Sequence, residues 1–280
     1  MRPPRNSSWL AINQDGNRLT AWEMTGTSAG QARQLQLQDS GPAALAAAVR
    51  QMLAGEPRPV LLGGSPLAPL QTVPVPLAEL PLAELQVEGL PVHALPGLSQ
   101  AAPCAVLRTA LAPLAGFLRL NPEWDGVVCL AGQTTHWVQI SAGEAVSFQS
   151  AMTGRLVQAA AQGTGLNTAG DWAQAELAEA VADGLAKPEL LAARLASVQA
   201  AAGLGQIAEN TARSRIWGLL LGAELAAARP YWLGQNLALI AEAPLQGLYA
   251  AALDAQGLPV TLADPRRMAL EGLAHAWPSN

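Results

Sequence analysis

Short apolar runs separated by polar turns open the sequence and predict antiparallel strands. The apolar residues 8–12 are followed by the polar segment 13–18 and then by the mainly apolar segment 19–24. The polar segment contains Asp-Gly and Gly-Asn pairs, which favour the positive φ of a tight turn, so a β-hairpin is predicted here. Apolar and polar residues then alternate through 31–38, which predicts a third strand with one solvent-facing side.

A later part of the chain repeats this order of elements. Strands are predicted at 127–130, 136–140 and 145–148, with a polar turn at 131–135 between the first two. In both copies a tryptophan lies in the second strand, and the copies are about 115 residues apart. This separation is too long for a solenoid repeat and is typical of a duplicated domain.

Helices and strands alternate in the rest of the chain. A helix is predicted from Pro42 to about Ala54, followed by a buried strand at 60–62. The proline-rich segment 66–103 predicts only short edge strands and loops, because proline lacks a backbone donor. Further helices are predicted at 106–120 (kinked by Pro113), 171–183 (closed by Gly184), 188–200, 206–229 (stopped by Pro230), 244–255 and 265–276, and strands at 237–241 and 258–262. The alternation predicts an α/β protein with domains at 1–105 and 106–280, the last helix packing back on the first domain.

Composition excludes several classes of protein. Half of the 280 residues are hydrophobic and 13% are charged, which permits a large core and excludes a disordered chain. No apolar stretch reaches the ~18 residues of a membrane span, and the first eight residues lack the apolar core of a signal peptide. A net charge of -5 without a basic cluster argues against nucleic acid as a partner. Two cysteines and three histidines favour a reducing cytoplasm and argue against a dedicated metal site.

Three familiar nucleotide or catalytic motifs are missing or out of context. Lys187 is the only lysine and precedes Pro188, so the chain has no Walker phosphate loop. Residues 203–208 match the glycine pattern of dinucleotide-binding proteins, but they follow a predicted helix rather than a strand. No Gly-x-Ser-x-Gly sequence is present to expose a nucleophilic serine.

Cys129 and His136 flank the second polar turn, and each has two interpretations. The pair could act as nucleophile and base. Alternatively, Cys129 is a buried structural thiol, since it lies within an apolar strand. His136 either contacts a phosphate or is simply a polar residue at the start of a strand.

The two polar turns, at 13–18 and 132–135, suggest phosphate binding. Glycine with small hydroxyl or amide side chains lets several backbone N–H groups point at one spot, and such a concavity favours an anion. Two hairpins from the two halves of a duplicated fold are expected to face each other across a groove and hold both ends of a polyphosphate. Two ordinary solvent-facing hairpins are the alternative.

Four segments carry a resemblance to a known family, in a consistent order along the chain. They are 11–22, 148–156 with Met152-Thr153-Gly154, 182–191, and the helical segment 215–225. Together they resemble the 2-dehydro-3-deoxygalactonokinase family, sugar-acid kinases of the actin-like ATPase superfamily. The resemblance implies a two-domain actin-like (ribonuclease H-like) fold with ATP and Mg²⁺ as cofactors. It also implies phosphorylation of 2-dehydro-3-deoxy-D-galactonate on its terminal hydroxyl, a step of galactonate catabolism.

The same resemblance implies the residues of the site. The phosphates would be held by Gly16, Asn17, Gly132, Thr134 and Thr135, the adenosine side would be lined by Gly222 and Glu224, and Asp15 would lie near Mg²⁺. For Asp15 the alternative is the ordinary turn-forming residue of an Asp-Gly pair. The expected partners are a sugar acid and a nucleotide, without nucleic acid or membrane, and a homodimer is left open.

Several polar positions of the family pattern are substituted in this chain. Asn13 stands where the family has an aspartate, Ala110 and Leu111 where it has two glutamates, and His136 where it has a lysine. Glu242 replaces a glycine beside the adenosine. Phosphoryl transfer depends on Mg²⁺ and on a group that orients the attacking hydroxyl, and no catalytic base is assigned. The alternative function is therefore a catalytically weak or inactive relative that binds a sugar acid or nucleotide without turnover.

Overall fold

The chain folds as two units in the computed structural model, which describes residues 8–39, 41–78, 80–167 and 170–277. Unit 1 runs to Asp125 and adds Ile140–Phe148 and the segment from Ala263. Unit 2 comprises Gly126–Gln139 and Gln149–Leu262. The expected boundary at residue 105 therefore falls inside unit 1. Among the described helices, none combines the length and the apolar character that a membrane span requires.

The described segments contain sixteen strands. They are β1 (Ser8–Asp15), β2 (Arg18–Thr25), β3 (Ser28–Ala29), β4 (Arg33–Gln36), β5 (Val60–Gly63), β6 (Leu70–Thr72), β7 (Val75–Pro76), β8 (Ala83–Val87), β9 (Leu90–Ala94), β10 (Gly97–Gln100), β11 (Ala105–Leu107), β12 (Gly126–Leu130), β13 (Thr135–Ser141), β14 (Glu144–Ala151), β15 (Leu237–Ile240) and β16 (Val260–Ala263).

Nine α-helices occur in the same segments. They are α1 (Pro42–Leu53), α2 (Leu111–Leu120), α3 (Thr153–Thr164), α4 (Gln174–Ala186), α5 (Leu191–Gly203), α6 (Glu209–Ala227), α7 (Arg229–Trp232), α8 (Ala243–Asp254) and α9 (Pro265–Ala276), with a 3-10 turn at Pro188–Leu190 before α5.

Unit 1 is built on a seven-stranded sheet in the order β3-β2-β1-β5-β9-β8, with β4 also paired to β2. β1 and β9 are both parallel to β5, and the other pairs are antiparallel. β6, β10 and β11 form a smaller sheet. β9 lies between two strands, so the prediction of edge strands alone in the proline-rich segment was wrong.

Helices cover both faces of β1, because successive side chains of a strand point to opposite sides. Leu10 and Ile12 pack in the cluster that contains α1 residues. Trp9 and Ala11 pack with α2 and α9, and Trp9 stacks on Trp277 at a ring distance of 4.4 Å. The same alternation places Asn13, the next odd-numbered residue, on the α2 and α9 face.

Two glycines let α2 and α9 approach each other closely in unit 1. A Cβ added to Gly116 would lie 1.9 Å from the carbonyl oxygen of Met268, and one on Gly272 would lie 2.1 Å from that of Ala112. The last helix thus packs on elements of unit 1. α2 begins at Leu111, not at residue 106, because Ala105–Leu107 form β11.

Unit 2 contains the sheet order β16-β15-β12-β13-β14, with β12 parallel to β15. The strands β13, β12 and β15 of this sheet follow the same order as β2, β1 and β5 in unit 1, as the predicted duplication requires. The far part of the β13–β14 hairpin, residues 140–148, is counted in unit 1, where Glu144 and Ala145 pair with β7.

The helices of unit 2 depart from the sequence prediction at three places, one of which is α7, a short helix that contains the predicted stop Pro230. α3 was not predicted at all. Gly184 was predicted to end a helix, but it lies inside α4, where an added Cβ would be 2.4 Å from the carbonyl oxygen of Leu219 in α6. Gly222 in α6 has the same role, since its Cβ would lie 2.3 Å from the carbonyl oxygen of Val181. These glycines set the close packing of α4 on α6.

Candidate functional site

The first hairpin, residues 13–18, joins β1 to β2 by a tight turn. Gly16 adopts a positive φ of 59°, and Asp15 pairs with Arg18 across the hairpin. The Asp15 carboxylate and the Arg18 guanidinium form an exposed ion pair at 3.1 Å. Gln14 Nε2 donates to the carbonyl oxygen of Gly16 at 3.2 Å, which ties the turn to the strand before it.

Two side-chain oxygens at the base of this hairpin are buried without a hydrogen-bond partner. They are Oδ1 of Asn13 and Oε1 of Gln14, whose side chain is 1% exposed. A Cβ placed on Gly63 would lie 3.2 Å from Asn13 Oδ1, at the end of the parallel strand β5. Buried acceptors normally have partners, because leaving one unsatisfied costs free energy. These two oxygens are therefore free to accept from a ligand or its water.

The loop after β5 presses on the backbone of the first hairpin. Gly64 has a φ of 80°, and an added Cβ would lie 2.1 Å from the carbonyl oxygen of Gln14. Its neighbour Ser65 is buried and accepts from the backbone N–H of Leu67 at 3.2 Å. Only glycine fits this position, which fixes the hairpin against β5.

The second hairpin, residues 131–135, is held by the start of α3. Arg155 donates its backbone N–H to the carbonyl oxygen of Gln133 at 3.1 Å. A Cβ on Gly154 would lie 2.6 Å from the carbonyl oxygen of Gly132. The turn and the first turn of α3 therefore meet backbone to backbone, with no space for a side chain between them.

Behind this hairpin lies a buried carboxylate, Glu224 of α6. Its Oε1 accepts from Trp137 Nε1 at 2.9 Å, and its Oε2 accepts from Tyr249 OH at 2.9 Å and from Thr153 Oγ1. Tyr249 OH is also 2.7 Å from Thr135 Oγ1. Because the Tyr249 proton points to Glu224, Thr135 must donate to Tyr249. The network links β13, α3, α6 and α8 within unit 2.

Burial dominates the proton equilibria of unit 2. It raises the pKa of Glu224, while hydrogen bonds from Thr153, Trp137 and Tyr249 act in the opposite direction. It also raises the pKa of Cys129 well above its usual value, and the nearby Glu224 charge adds to this effect. The Cys129 thiol is therefore protonated at neutral pH, whereas a nucleophilic cysteine needs a thiolate. The structural interpretation of Cys129 is the one that fits.

His136 is a neutral, buried residue. Burial lowers its pKa to about 4, and its Nδ1 is 2.8 Å from Ser150 Oγ. At neutral pH the ring carries no charge, so it offers no cationic contact to a phosphate. His136 therefore does not reproduce the charge of the lysine that the family pattern has here.

The predicted site residues belong to the first hairpin in unit 1 and to the second hairpin and α6 in unit 2. Asp15, Gly16 and Asn17 form the tip of the first hairpin, and Gly132, Thr134 and Thr135 belong to the second. Thr135 is fully buried and its hydroxyl contacts Tyr249 OH, so its side chain offers no contact to a phosphate. The phosphate, adenosine and metal assignments of these residues stay predictions.

Other substituted positions have structural roles. Leu111, where the family pattern has a glutamate, is fully buried in the first turn of α2, and Ala110 precedes that helix without a side-chain cap.

Within the described ranges, no group of three His, Cys, Asp or Glu side chains is suited to hold a metal ion. A cavity of about 220 Å³ opens between α4, α5 and α6, and it is lined by none of the predicted site residues.

The sequence matches the 2-keto-3-deoxy-galactonokinase family over residues 11–276. The chain belongs to this family. The family enzyme is the one also called 2-dehydro-3-deoxygalactonokinase, so the resemblance found from the four sequence segments is confirmed.

Relatives of known name and known structure agree with the family assignment. A protein named 2-dehydro-3-deoxygalactonokinase DgoK1, from Rhizobium meliloti (strain 1021), is 31% identical over 163 residues. That match covers 54% of this chain and 53% of the relative, about half the length of each. A crystal structure named for the same activity, from Sinorhizobium meliloti, has a TM-score of 0.85 at 23% identity and covers 96% of this chain and 97% of its own.

A more distant structure extends the comparison to the fold. The activator of 2-hydroxyisocaproyl-CoA dehydratase from Clostridium difficile, solved with bound ADPNP, has a TM-score of 0.55 at 10% identity. It covers 96% of this chain and 94% of its own. The 2-keto-3-deoxy-galactonokinase family member described here therefore has the predicted α/β fold of actin-like ATPases and sugar kinases.

Sequence reasoning missed the partners of Glu224 in this family member. Trp137, Thr153 and Tyr249 are far apart in the sequence, and nothing in their local patterns joins them. A signal was present in α6, where Glu224 follows the apolar run 216–223. Glutamate is rarely buried without partners, so a carboxylate on an otherwise apolar face indicates a polar network around it.

Proposed function

We propose that this chain is an ATP-dependent kinase that phosphorylates 2-dehydro-3-deoxy-D-galactonate on its terminal hydroxyl. Family membership supports the reaction, and one structural observation supports phosphate binding. The backbone of the second hairpin is fixed against α3 by the Arg155–Gln133 hydrogen bond and by the close contact of Gly154. A rigid turn that contains glycine is the kind of element whose backbone N–H groups bind phosphate.

Both hairpins hold phosphates in this proposal. The backbone N–H groups of Gly132, Thr134 and Thr135 hold phosphate oxygens of ATP, and Gly16 and Asn17 do the same in the first hairpin. The lining of the adenosine side by Gly222 and Glu224 stays a prediction; in the structure Gly222 lets α4 and α6 pack, and Glu224 accepts from Trp137. Fold relatives support a nucleotide, since the Clostridium difficile activator was solved with ADPNP.

The residues of the first hairpin fit a magnesium ion. Mg²⁺ is held by oxygen ligands and usually keeps several waters. Asn13 Oδ1 is a buried acceptor without a partner and suits the proton of a metal-bound water. Asp15 supplies the only carboxylate of this turn and would lie near the ion. When bound, Mg²⁺ neutralises phosphate charge, which is the main demand of phosphoryl transfer.

The setting of the reaction follows from the same proposal. A kinase that uses ATP works where the nucleotide is abundant, so we place this chain in the cytoplasm. Cys104 and Cys129 are free thiols, which fits a reducing compartment. A homodimer stays a prediction.

A coupled ADP-release assay with 2-dehydro-3-deoxy-D-galactonate and Mg·ATP tests the activity. Thermal unfolding with Mg·ATP, with ATP and EDTA, and with the sugar acid alone provides the matching binding data. At 100 times the dissociation constant a ligand stabilises the folded state by about 2.7 kcal/mol. Sugar-dependent ADP release supports the kinase. Stabilisation by either ligand without ADP release supports the inactive binding protein, and the absence of both contradicts the proposal.

A further inference from the structure

When Glu224 is ionised, the hydrogen bonds around it have one direction. Trp137 Nε1 and the hydroxyls of Thr153 and Tyr249 all donate to the carboxylate, so their protons point inward. Tyr249 has one proton and gives it to Glu224, so Thr135 donates its own proton to Tyr249 over the 2.7 Å contact. The row of hydrogen bonds from Thr135 through Tyr249 to Glu224 therefore leaves neither hydroxyl proton free.

This direction decides how the hairpin can bind an anion. A hydroxyl whose proton is already donated inward offers an approaching phosphate only lone pairs, which repel it. Thr135 is fully buried and cannot rotate without losing its partner. The Thr135 side chain therefore offers an anion no donor, and its hydrogen bond to Tyr249 instead helps to hold the hairpin backbone where β13 begins.

We propose that Glu224 is a positioning residue of the second hairpin: it accepts the protons of Trp137, Thr153 and Tyr249 and thereby holds residues 131–135 in the form that binds phosphate through the backbone. The inference rests on the proposed function, since it requires the hairpin to bind the phosphates of a nucleotide. Glu224 itself contacts no ligand in this account. It acts through β13, α3 and α8, each of which supplies one of its three donors.

Two conservative variants interrupt the network at different points. Glu224→Gln keeps the shape but replaces one acceptor oxygen by an NH₂ donor, so at least one inward proton loses its acceptor. Tyr249→Phe removes the hydroxyl between Glu224 and Thr135 and leaves the other two donors in place. Trp232→Phe is the matched control, because Trp232 Nε1 donates to the buried carbonyl oxygen of Leu225 at 2.8 Å within the same unit. That bond is not part of the network.

Hydrogen exchange of the ligand-free protein is the first measurement. In Glu224→Gln and Tyr249→Phe, the Arg155 amide, which donates to Gln133 in the hairpin, is expected to exchange about tenfold faster than in the wild type, the effect of losing one buried hydrogen bond. Trp232→Phe is expected to lower the melting temperature without changing exchange of this amide. If this amide exchanges equally fast in all three variants at matched stability, Glu224 is only a core residue and the inference is overturned.

Nucleotide kinetics is the second measurement. The two network variants are expected to raise the KM for Mg·ATP about fivefold to tenfold with kcat within about twofold of the wild type. An unchanged KM in both variants contradicts the inference even if their stability falls. If the wild type shows neither activity nor a response to Mg·ATP, the proposed function fails, whereas the exchange comparison still decides whether Glu224 holds the hairpin.

Discussion

The two hairpins have matching positions in their sheets but treat their polar side chains in opposite ways. At the first hairpin, Asn13 and Gln14 bury acceptor oxygens that have no partner, and the Asp15–Arg18 ion pair is exposed at the tip. At the second, the side chains of Thr135, His136 and Trp137 are buried and hydrogen-bonded inside unit 2. The first hairpin thus has buried acceptors without partners, whereas the buried side chains at the start of β13 are hydrogen-bonded.

This difference fits two kinds of ligand. Unpaired oxygens attract cations and the protons of metal-bound water, whereas the backbone N–H groups of a glycine-containing turn attract anions. A duplicated fold can thus bind phosphate at both hairpins and add the metal ion at the first. Substitutions at each hairpin test whether its hydrogen bonding gives it this ligand preference.

Gly64→Ala is expected to have the largest effect, because it acts on the backbone of the first hairpin. The new Cβ would lie 2.1 Å from the carbonyl oxygen of Gln14, at a φ of 80°. Strain and overlap together should lower the free energy of unfolding by about 4 kcal/mol, measured by urea titration. Gly16→Ala is the control, since its φ is 59° with no atom within 4 Å of the new Cβ, and about 1 kcal/mol is expected. Equal losses would show that Gly64 does not fix the hairpin.

Protonation of the buried His136, next to the second hairpin, should lower the free energy of unfolding at acid pH. The folded pKa of His136 is lowered from 6.5 to about 4, so its contribution is complete above pH 6.5 and is lost as the pH falls towards 4. The total loss is about 3 kcal/mol. His136→Asn keeps a partner for Ser150 Oγ and should flatten the stability curve between these values, measured by urea unfolding at a series of pH values. The exposed His275→Asn should leave the curve unchanged, and a similar flattening there would contradict the assignment.

Much of the fold followed from local patterns, and much of the site did not. α1 and α9 were predicted to within a residue, because proline at the start and apolar periodicity mark a helix locally. The role of Gly184 was missed because a glycine at a helix crossing and one at a helix end look alike in sequence. The Glu224 network was missed since it joins residues from four elements. Local patterns predict elements, whereas hydrogen-bond partners depend on tertiary packing.

Asn13→Asp sharpens the contrast at the first hairpin. It restores the family's carboxylate at a position whose oxygen is buried and unpaired, so the ligand-free protein should lose about 2 kcal/mol of stability. Mg·ATP should recover most of this loss, because a bound cation pairs the new charge. Thermal unfolding with and without Mg²⁺ measures both effects. Asn17→Asp makes the same charge change at the half-buried tip and should cost less. A fully stable ligand-free Asn13→Asp would show that the pocket already hydrates or pairs the oxygen.

Asp15→Asn should have the smallest effect on stability and the clearest effect on metal dependence. Its ion pair with Arg18 is exposed at both side chains, so losing it should change the free energy of unfolding by about 0.5 kcal/mol or less. If Asp15 lies near Mg²⁺, the Mg²⁺ concentration for half-maximal ADP release should rise roughly tenfold. Arg18→Gln breaks the same ion pair but keeps the carboxylate, and it should leave the Mg²⁺ requirement as it is. If the Mg²⁺ concentration for half-maximal ADP release is the same for the wild type and Asp15→Asn, Asp15 is an ordinary turn residue. Binding of Mg²⁺ at this hairpin would then depend on the uncharged oxygens of Asn13 and Gln14.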